Sequence, residues 1–443
     1  MTIQISDHFT YKKLFRFVLP AIFMMAVTSV YGVIDGLFVS NFAGKTPFAA
    51  INLIMPFIYI LGGTGFMLGA GGTALVSKVI GEGDREKANR YFTLIIIAAV
   101  ALGIILTVAG ILLVRPVSYL LGAKEDTIEH CVTYGRLVLS FTVFFMLQSL
   151  FQSFLAAAGK PKLGLLVTAA AGLTNAALDA LFIVVFKWGI VGAAVATGIG
   201  QFVGGIIPVI YFSVKNSSLL KFTRTKIEIK PVLAACGNGS SELLTNVSSS
   251  IVSMLFNLQL IKYLGNDGVA AYGVLMYVQF IFLAIEIGFA IGSAPIIGFN
   301  YGAQNTDELK NIFKKCIVIM SALGIILTAL AEALAVPLAK LFVGYDGGLY
   351  TLTVHAFRLF SFAFIFSGIN VFSSSLFTAL NNGVISAVIS CFRALIFQIA
   401  YVLLLPLLFG VDGIWWAMFA TELSAFIVSV IFFSAKRKKY NYA

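Results

Sequence analysis

The chain has 443 residues, of which 60% are hydrophobic and only 11% charged, and its mean hydropathy is +0.98. Soluble domains carry roughly 25% charged residues, so this composition excludes an ordinary soluble protein and points to an all-α, many-times membrane-spanning one. Helices are favoured over a spanning barrel, because the apolar runs are continuous and do not alternate.

In chain order, spans are predicted at 14–40, 48–79, 91–115, 128–157, 163–186 and 189–213, then at 231–262, 268–299, 312–337, 352–380, 384–409 and 412–435. "YKKLFRF" leads straight into the first, full-length span, with no cleavable signal peptide expected. That span contains "VYGVIDGLFV" at 30–39. A carboxylate such as Asp35 costs roughly 2.5–3.5 kcal/mol at the middle of a membrane helix, so it calls for a partner or a task. In span 2, "LGGTG" and "LGAGG" read as small-residue surfaces for close helix packing; a phosphate loop would need a following GK[ST], which is missing. Span 4 brings Arg136 and, deeper, Gln152; span 5 brings Asn175 and Asp179; span 6 brings Thr197.

Three of these residues fall at one depth. Asp35 stands six residues before Asn41, Asp179 eight before Lys187, and Thr197 nine after Trp188. At 1.5 Å per residue that is roughly 9–14 Å below the outer helix ends. Asn175, one turn before Asp179, shares its face. Carboxylate, amide and hydroxyl oxygens suit a hard cation, and two close carboxylates can instead share a proton, so a site for Na+ or H+ is expected here. The alternative is a salt bridge from Asp35 to Arg136.

The polar stretch "KNSSLLKFTRTKIEIK" at 215–230 reads as a linker between bundles at 14–214 and 231–436. The second half carries its own embedded group: Glu242 in span 7, Glu286 in span 8, Arg393 in span 11 and Glu422 in span 12. Three acids and one base leave a formal excess of negative charge, which calls for a proton or a cationic guest. The alternative is a buried ion pair beside a neutral, hydrogen-bonded glutamate. Glu332 is expected at the interface.

The halves repeat. "VSKVIGEGDREKANRYF" at 76–92 overlays "IGFNYGAQNTDELKNIF" at 297–313, matching Gly81 to Gly302 and Phe92 to Phe313; Pro116 matches Pro337 and Arg136 matches Arg358, whereas Asp35 aligns with Phe256. An arginine kept where its supposed partner is absent reads as scaffold. With the N-terminus inside, 21 of the 30 basic residues lie on the cytoplasmic side, six lie outside and three are embedded. This places both termini in the cytoplasm and makes the net charge of +11 a topology signal, with no nucleic-acid partner expected. Repeated six-span halves around a central cavity suggest a transporter that opens alternately to the two sides. Cys131, Cys236, Cys316 and Cys391 show no CxxC pairing, and His8, His130 and His355 are isolated, so no catalytic residue and no metal beyond a possible Na+ is expected.

With these residues in view, the chain resembles the multidrug and toxic compound extrusion (MATE) transporters, within the superfamily that includes lipid and polysaccharide flippases. The resemblance covers residues 14–436 and is carried by "LPAIFMMAVTSVYGVIDGLFVSNFAG", the "AAAGKPK" turn, "TNAALDALFI" and "GIVGAAVATGIGQ" in that order, together with the repeat. It implies a V-shaped pair of six-helix bundles exporting amphipathic, often cationic compounds in exchange for inward Na+ or H+. By position it carries the family's cation site onto Asp35, Asn175, Asp179 and Thr197, with Gln152 where relatives often have an amide. One branch also uses acids in spans 7 and 10. Glu242 matches the first, but span 10 has none, so that second site is not expected here.

The expected function is therefore ion-coupled multidrug efflux by a monomer in a bacterial cell membrane, with small-molecule substrates, the lipid bilayer as surroundings and no cofactor beyond the coupling ion, H+ or Na+. Glu242, Glu286, Arg393 and Glu422 form the expected substrate-binding or polar cluster. The rivals are a flippase for lipid-linked sugars, which would favour a cationic cavity; a membrane-embedded enzyme, which lacks a paired nucleophile and base; and a non-transporting receptor or scaffold, which leaves the outer carboxylates unexplained.

Overall fold

The computed structural model describes residues 3–442, and among them no strand occurs. Nine helices are long and apolar enough to cross a membrane, and two bent pairs qualify together. One of the nine, Ile229–Gly302, holds two helices that turn at Gly265 (φ 63°), so the described residues hold twelve candidate spans, consistent with the twelve expected. Span 1 is Tyr11–Phe38 with a π-helical extension Val39–Ala43, span 2 Lys45–Gly81 and span 3 Arg85–Leu120. Span 4 is the bent pair Glu125–Leu139 and Thr142–Ala157, span 5 is Pro161–Asp179 with the π turn Ala180–Val185, and span 6 is Gly189–Ser213. Spans 7 and 8 lie before and after Gly265, and span 9 is Thr306–Val343. Span 10 is Gly347–Ser361 with Phe364–Ala379; span 11 runs Gly383–Cys391, Phe392–Ile396 and Phe397–Phe409; span 12 is Val411–Tyr440.

The repeat is written in the helix ends as well as in the apolar runs. Span 3 is capped by Asp84, whose side chain accepts from Lys87 N at 2.9 Å, and span 9 by Asn305, which accepts from Glu308 N at 3.1 Å. A left-handed residue precedes each cap, Gly83 (φ 90°) and Gln304 (φ 54°), because the chain must reverse tightly between spans. Spans 4 and 10 both break, by 57° and 47°. Arg136 and Arg358 each occupy the last turn before the break, where carbonyls without helical partners concentrate negative potential, and both are exposed. The repeat thus keeps the arginine at a helix end that both halves possess, without an ion-pair partner among the described residues.

Three apolar cores shape the molecule. One is built only from the first half, around Ile54, Val114, Tyr134 and Ala193, and one only from the second, around Phe256, Leu275, Phe360 and Trp415. The third is shared, and it sits at the end that carries both chain termini, here the basal end. Its two sides repeat each other: Phe92 packs on Phe212 and Phe222 at centroid distances of 4.9 and 5.2 Å, and Phe313 on Phe433 and Tyr442 at 5.4 and 4.8 Å. Separate apical cores over a joined basal core give two lobes that meet at their base and open at the other end.

Glycine makes the basal seam. A Cβ on Gly71 of span 2 would meet the Gly239 nitrogen of span 7 at 2.6 Å, and one on Gly239 would meet the Gly71 nitrogen at 2.9 Å, so only hydrogen fits on either side of the crossing. Farther down, Gly81 and Gly302, equated by the sequence repeat, let spans 2 and 8 cross with each glycine against the other helix's backbone. The "LGGTG" and "LGAGG" surface thus serves two neighbours, since Gly65 and Gly69 lie against the span 4 backbone at Met146 and Leu150. The segment before span 1 adds a strap: buried Ile5 and Phe9 reach the second lobe, where Glu308 accepts from Phe9 N at 2.9 Å and pairs with His8 Nδ1 at 2.6 Å.

Candidate functional site

Spans 1, 5 and 6 bring Asp35, Asn175, Asp179 and Thr197 together inside the first lobe. Thr197 Oγ1 donates to Asp35 Oδ1 at 3.4 Å, and the Asp35 carboxylate faces Asp179 and Asn175. Relative exposure is 9% for Asp35, 3% for Asn175 and 0% for Asp179. Both Asp179 oxygens, and both the nitrogen and the oxygen of the Asn175 side chain, are buried without a hydrogen-bond partner. Such groups are rare in folded proteins because desolvation without a partner costs about 1–3 kcal/mol each. Three of these atoms, the two Asp179 oxygens and the Asn175 amide oxygen, are acceptors beside the Asp35 carboxylate that a small cation or a proton would satisfy, whereas the Asn175 amide nitrogen is a donor. Among the described residues no group of three or more His, Cys, Asp and Glu gathers, so the donors do not resemble a transition-metal centre.

The salt bridge weighed from the sequence does not form: Arg136 makes no ion pair with Asp35 among the described residues. Gln152 is buried too, but its Nε2 points to Thr28 Oγ1 at 3.5 Å, and Thr28 lies two turns from Asp35 on span 1. The Gln152 Oε1 is buried without a hydrogen-bond partner. Sequence reasoning missed three phenols. Tyr31, Tyr59 and Tyr134 lie near enough to Asp35 to feel its charge, and the buried Tyr134 hydroxyl lacks a hydrogen-bond partner. The available signal was that Tyr134 lies near Arg136 on a span already considered, but 16 tyrosines and 41 phenylalanines hid it.

The second lobe resolves its polar group differently. Arg393 and Glu422 form a forked ion pair, with Nε 3.0 Å from both glutamate oxygens and a terminal guanidinium nitrogen 2.8 Å from Oε1. Asn370 Nδ2 donates to the same carboxylate at 2.7 Å, and Glu286 accepts from Ser367 Oγ at 2.5 Å. This is the buried pair with a hydrogen-bonded glutamate that the sequence left open. Glu332, expected at the interface, is half-buried and accepts from Ser361 beside the break in span 10.

Glu242 is the exception. It lines a cleft of about 890 Å³ between the lobes, whose walls include Phe66 and Ser153 from the first lobe and Leu283, Ser374 and Arg393 from the second. Among the described residues it has no ion-pair partner. A narrow chamber adjoining that cleft is lined by Gln279, Glu286, Arg393 and Glu422. Arg393 and Leu283 border both spaces.

All three π-helical segments among the described residues adjoin an embedded charge: Val39–Ala43 follows Asp35 by one turn, Ala180–Val185 follows Asp179 directly, and Phe392–Ile396 contains Arg393. Widened turns of this kind concentrate at functional sites because they change the direction in which the adjoining side chains point.

Comparison with known proteins agrees with this architecture. The MatE family model matches residues 20–181 and 243–404, one match in each lobe. The multidrug export protein MepA of Staphylococcus haemolyticus is 24% identical over 434 residues, covering 97% of this chain and 94% of that protein. MepA of Staphylococcus aureus strain MRSA252 is 23% identical over 417 residues, covering 93% and 91%. Among solved structures, an outward-facing conformation of a multidrug resistance MATE family transporter of the MOP superfamily superposes with a TM-score of 0.92 at 21% identity, covering 98% of each chain. A MOP superfamily transporter from Pyrococcus furiosus superposes with a TM-score of 0.90 at 22% identity, again covering 98% of each.

Proposed function

The chain belongs to the MatE family, and from that premise we propose that it is a multidrug efflux transporter that exchanges amphipathic organic cations for inward-moving H+ or Na+. Membership makes it a multi-pass membrane transporter of small molecules. The coupling is our reading, and the observation that carries it is the pair Asp35 and Asp179, buried with Asn175 and Thr197 and leaving both Asp179 oxygens unpartnered. Two carboxylates in a desolvated site repel each other unless a positive charge joins them. One lobe then holds the coupling ion and the cleft holds the cargo. The basal end is cytoplasmic on this reading, as the 21 basic residues on that side support, and the protein works as a monomer.

Exchange follows from unequal binding. An ion drives the change between apically and basally open states only if it binds them with different affinity. The closely crossed basal seam, against separate apical cores, supports assigning this structure to the outward-open state. The unpaired charge in the cleft is the carboxylate of Glu242, which favours cationic cargo over the pyrophosphate of a lipid-linked sugar.

The test is efflux of a cationic dye from proteoliposomes, with a pH gradient and a sodium gradient imposed separately. Gradient-driven efflux is expected to vanish in Asp35→Asn while the protein remains inserted and monodisperse. Asp35→Asn transporting at the normal rate under both gradients would overturn the ion-coupling reading.

A further inference from the structure

We propose that Arg393 is an internal competitor for the cargo: a guanidinium that moves from Glu422 to Glu242 when the cleft empties and is displaced back when an organic cation arrives. This deepens the reading of Glu242 as the cargo-binding carboxylate and rests on it.

Four observations meet at Arg393. First, it borders both the cleft and the chamber adjoining it, with Glu242 on the cleft side and Glu286 and Glu422 on the other. Second, three carboxylates compete for one guanidinium, and in this structure Glu422 has it, through the forked contact at 2.8–3.0 Å. Third, Glu422 is equipped to be left: Asn370 Nδ2 donates to its Oε2 at 2.7 Å, a bond that does not involve the arginine. Fourth, Arg393 sits within the π-helical turn Phe392–Ile396, and its side chain is 15% exposed whereas that of Glu422 is 1% exposed. A long side chain on a widened turn, already reaching the wall of the cleft, can change partner by rotating about its own bonds.

The electrostatics give the exchange a direction. An unpaired carboxylate facing a cleft attracts any monocation, including a guanidinium that lines the same cleft. With cargo at Glu242, repulsion between two cations holds Arg393 on Glu422. Once cargo has left, the same guanidinium can neutralise Glu242, so rebinding must first displace it. The tethered arginine therefore weakens binding on the side where cargo is released, a benefit to an exporter whose cargo is abundant outside.

Two substitutions should act in opposite directions. Binding of tetraphenylphosphonium, a permanent monocation, and of triphenylphosphine oxide, its uncharged counterpart, is measured by calorimetry on the full chain in detergent at fixed pH. Arg393→Gln removes the competitor and is expected to tighten tetraphenylphosphonium binding about tenfold, whereas Glu422→Gln frees the guanidinium for Glu242 and is expected to weaken it about tenfold. The double variant Arg393→Gln/Glu422→Gln keeps an amide pair without charges in the chamber and is expected to bind as tightly as Arg393→Gln. Binding of the neutral compound should change in none of them. If Arg393→Gln alone does not fold, Glu422→Gln and the double variant still decide. Equal weakening in both, or a double variant indistinguishable from the parent, would mean that Arg393 only holds the chamber together, and would overturn the proposal. Glu242→Gln separates this failure from that of the underlying reading: if it leaves tetraphenylphosphonium binding unchanged, the cargo is not held at Glu242 at all.

Discussion

The two lobes descend from one repeated sequence, yet they treat buried charge in opposite ways. The first lobe holds two carboxylates with no cation of its own, and Asp179 is left without even a hydrogen bond. The second holds three carboxylates and one guanidinium, and it spends that guanidinium on Glu422 while Ser367 satisfies Glu286. The difference teaches that an embedded charge is not a site merely because it is embedded. What distinguishes the lobes is whether the protein supplies the counter-ion. Where it does, the charge is paired in this structure; where it does not, at Asp35/Asp179 and at Glu242, the charge is available to something that comes and goes.

The largest effect is expected where no counter-ion is supplied. Asp179→Asn should lower gradient-driven efflux by about two orders of magnitude for every cargo, since an ion that binds both states equally shifts nothing. Initial rates for three chemically distinct cargoes check this, and loss for only one of them would break the assignment of coupling to the first lobe. Glu242→Gln should act in the complementary way. Affinity for monocations should fall about tenfold, the worth of one partly exposed charge contact, while neutral cargo and the ion requirement stay as they were. Binding isotherms for a charged and an uncharged compound decide between a cargo carboxylate and a general structural one.

Smaller effects belong to the seam that both lobes share. Gly81→Ala places a methyl group against the span 8 backbone, and overpacking of this kind costs about 1–3 kcal/mol. It should move the equilibrium away from the closed basal seam, read as a shorter apical distance between spin labels at the ends of spans 2 and 8. Gly302→Ala, at the equivalent position of the other lobe, should do the same, and unequal shifts would show that the crossing is less symmetric than the repeat. The smallest effect is expected from Glu308→Gln, which keeps hydrogen bonding to Phe9 N but removes the charge beside the largely exposed His8. A change of about 1 kcal/mol or less is expected, visible as faster proteolysis ahead of span 1 with transport nearly intact.

Much of this molecule can be read from its residues alone. Twelve spans, the repeat and the level shared by Asp35, Asp179 and Thr197 were all legible, because hydropathy, helical rise and internal similarity are properties of the chain in order. The place of Arg136 was half legible: its twin Arg358 was visible, but the break in each span that follows it was not. Choice of partner was not legible at all. Which of Glu242, Glu286 and Glu422 receives Arg393, whether Gln152 turns to Asp35 or to Thr28, and which of many tyrosines lie near the carboxylates depend on how helices distant in sequence rotate against one another. Depth along a helix is set by counting residues, whereas azimuth is set by packing against neighbours, and only the tertiary structure decides which charges in a lobe are paired and which stay free.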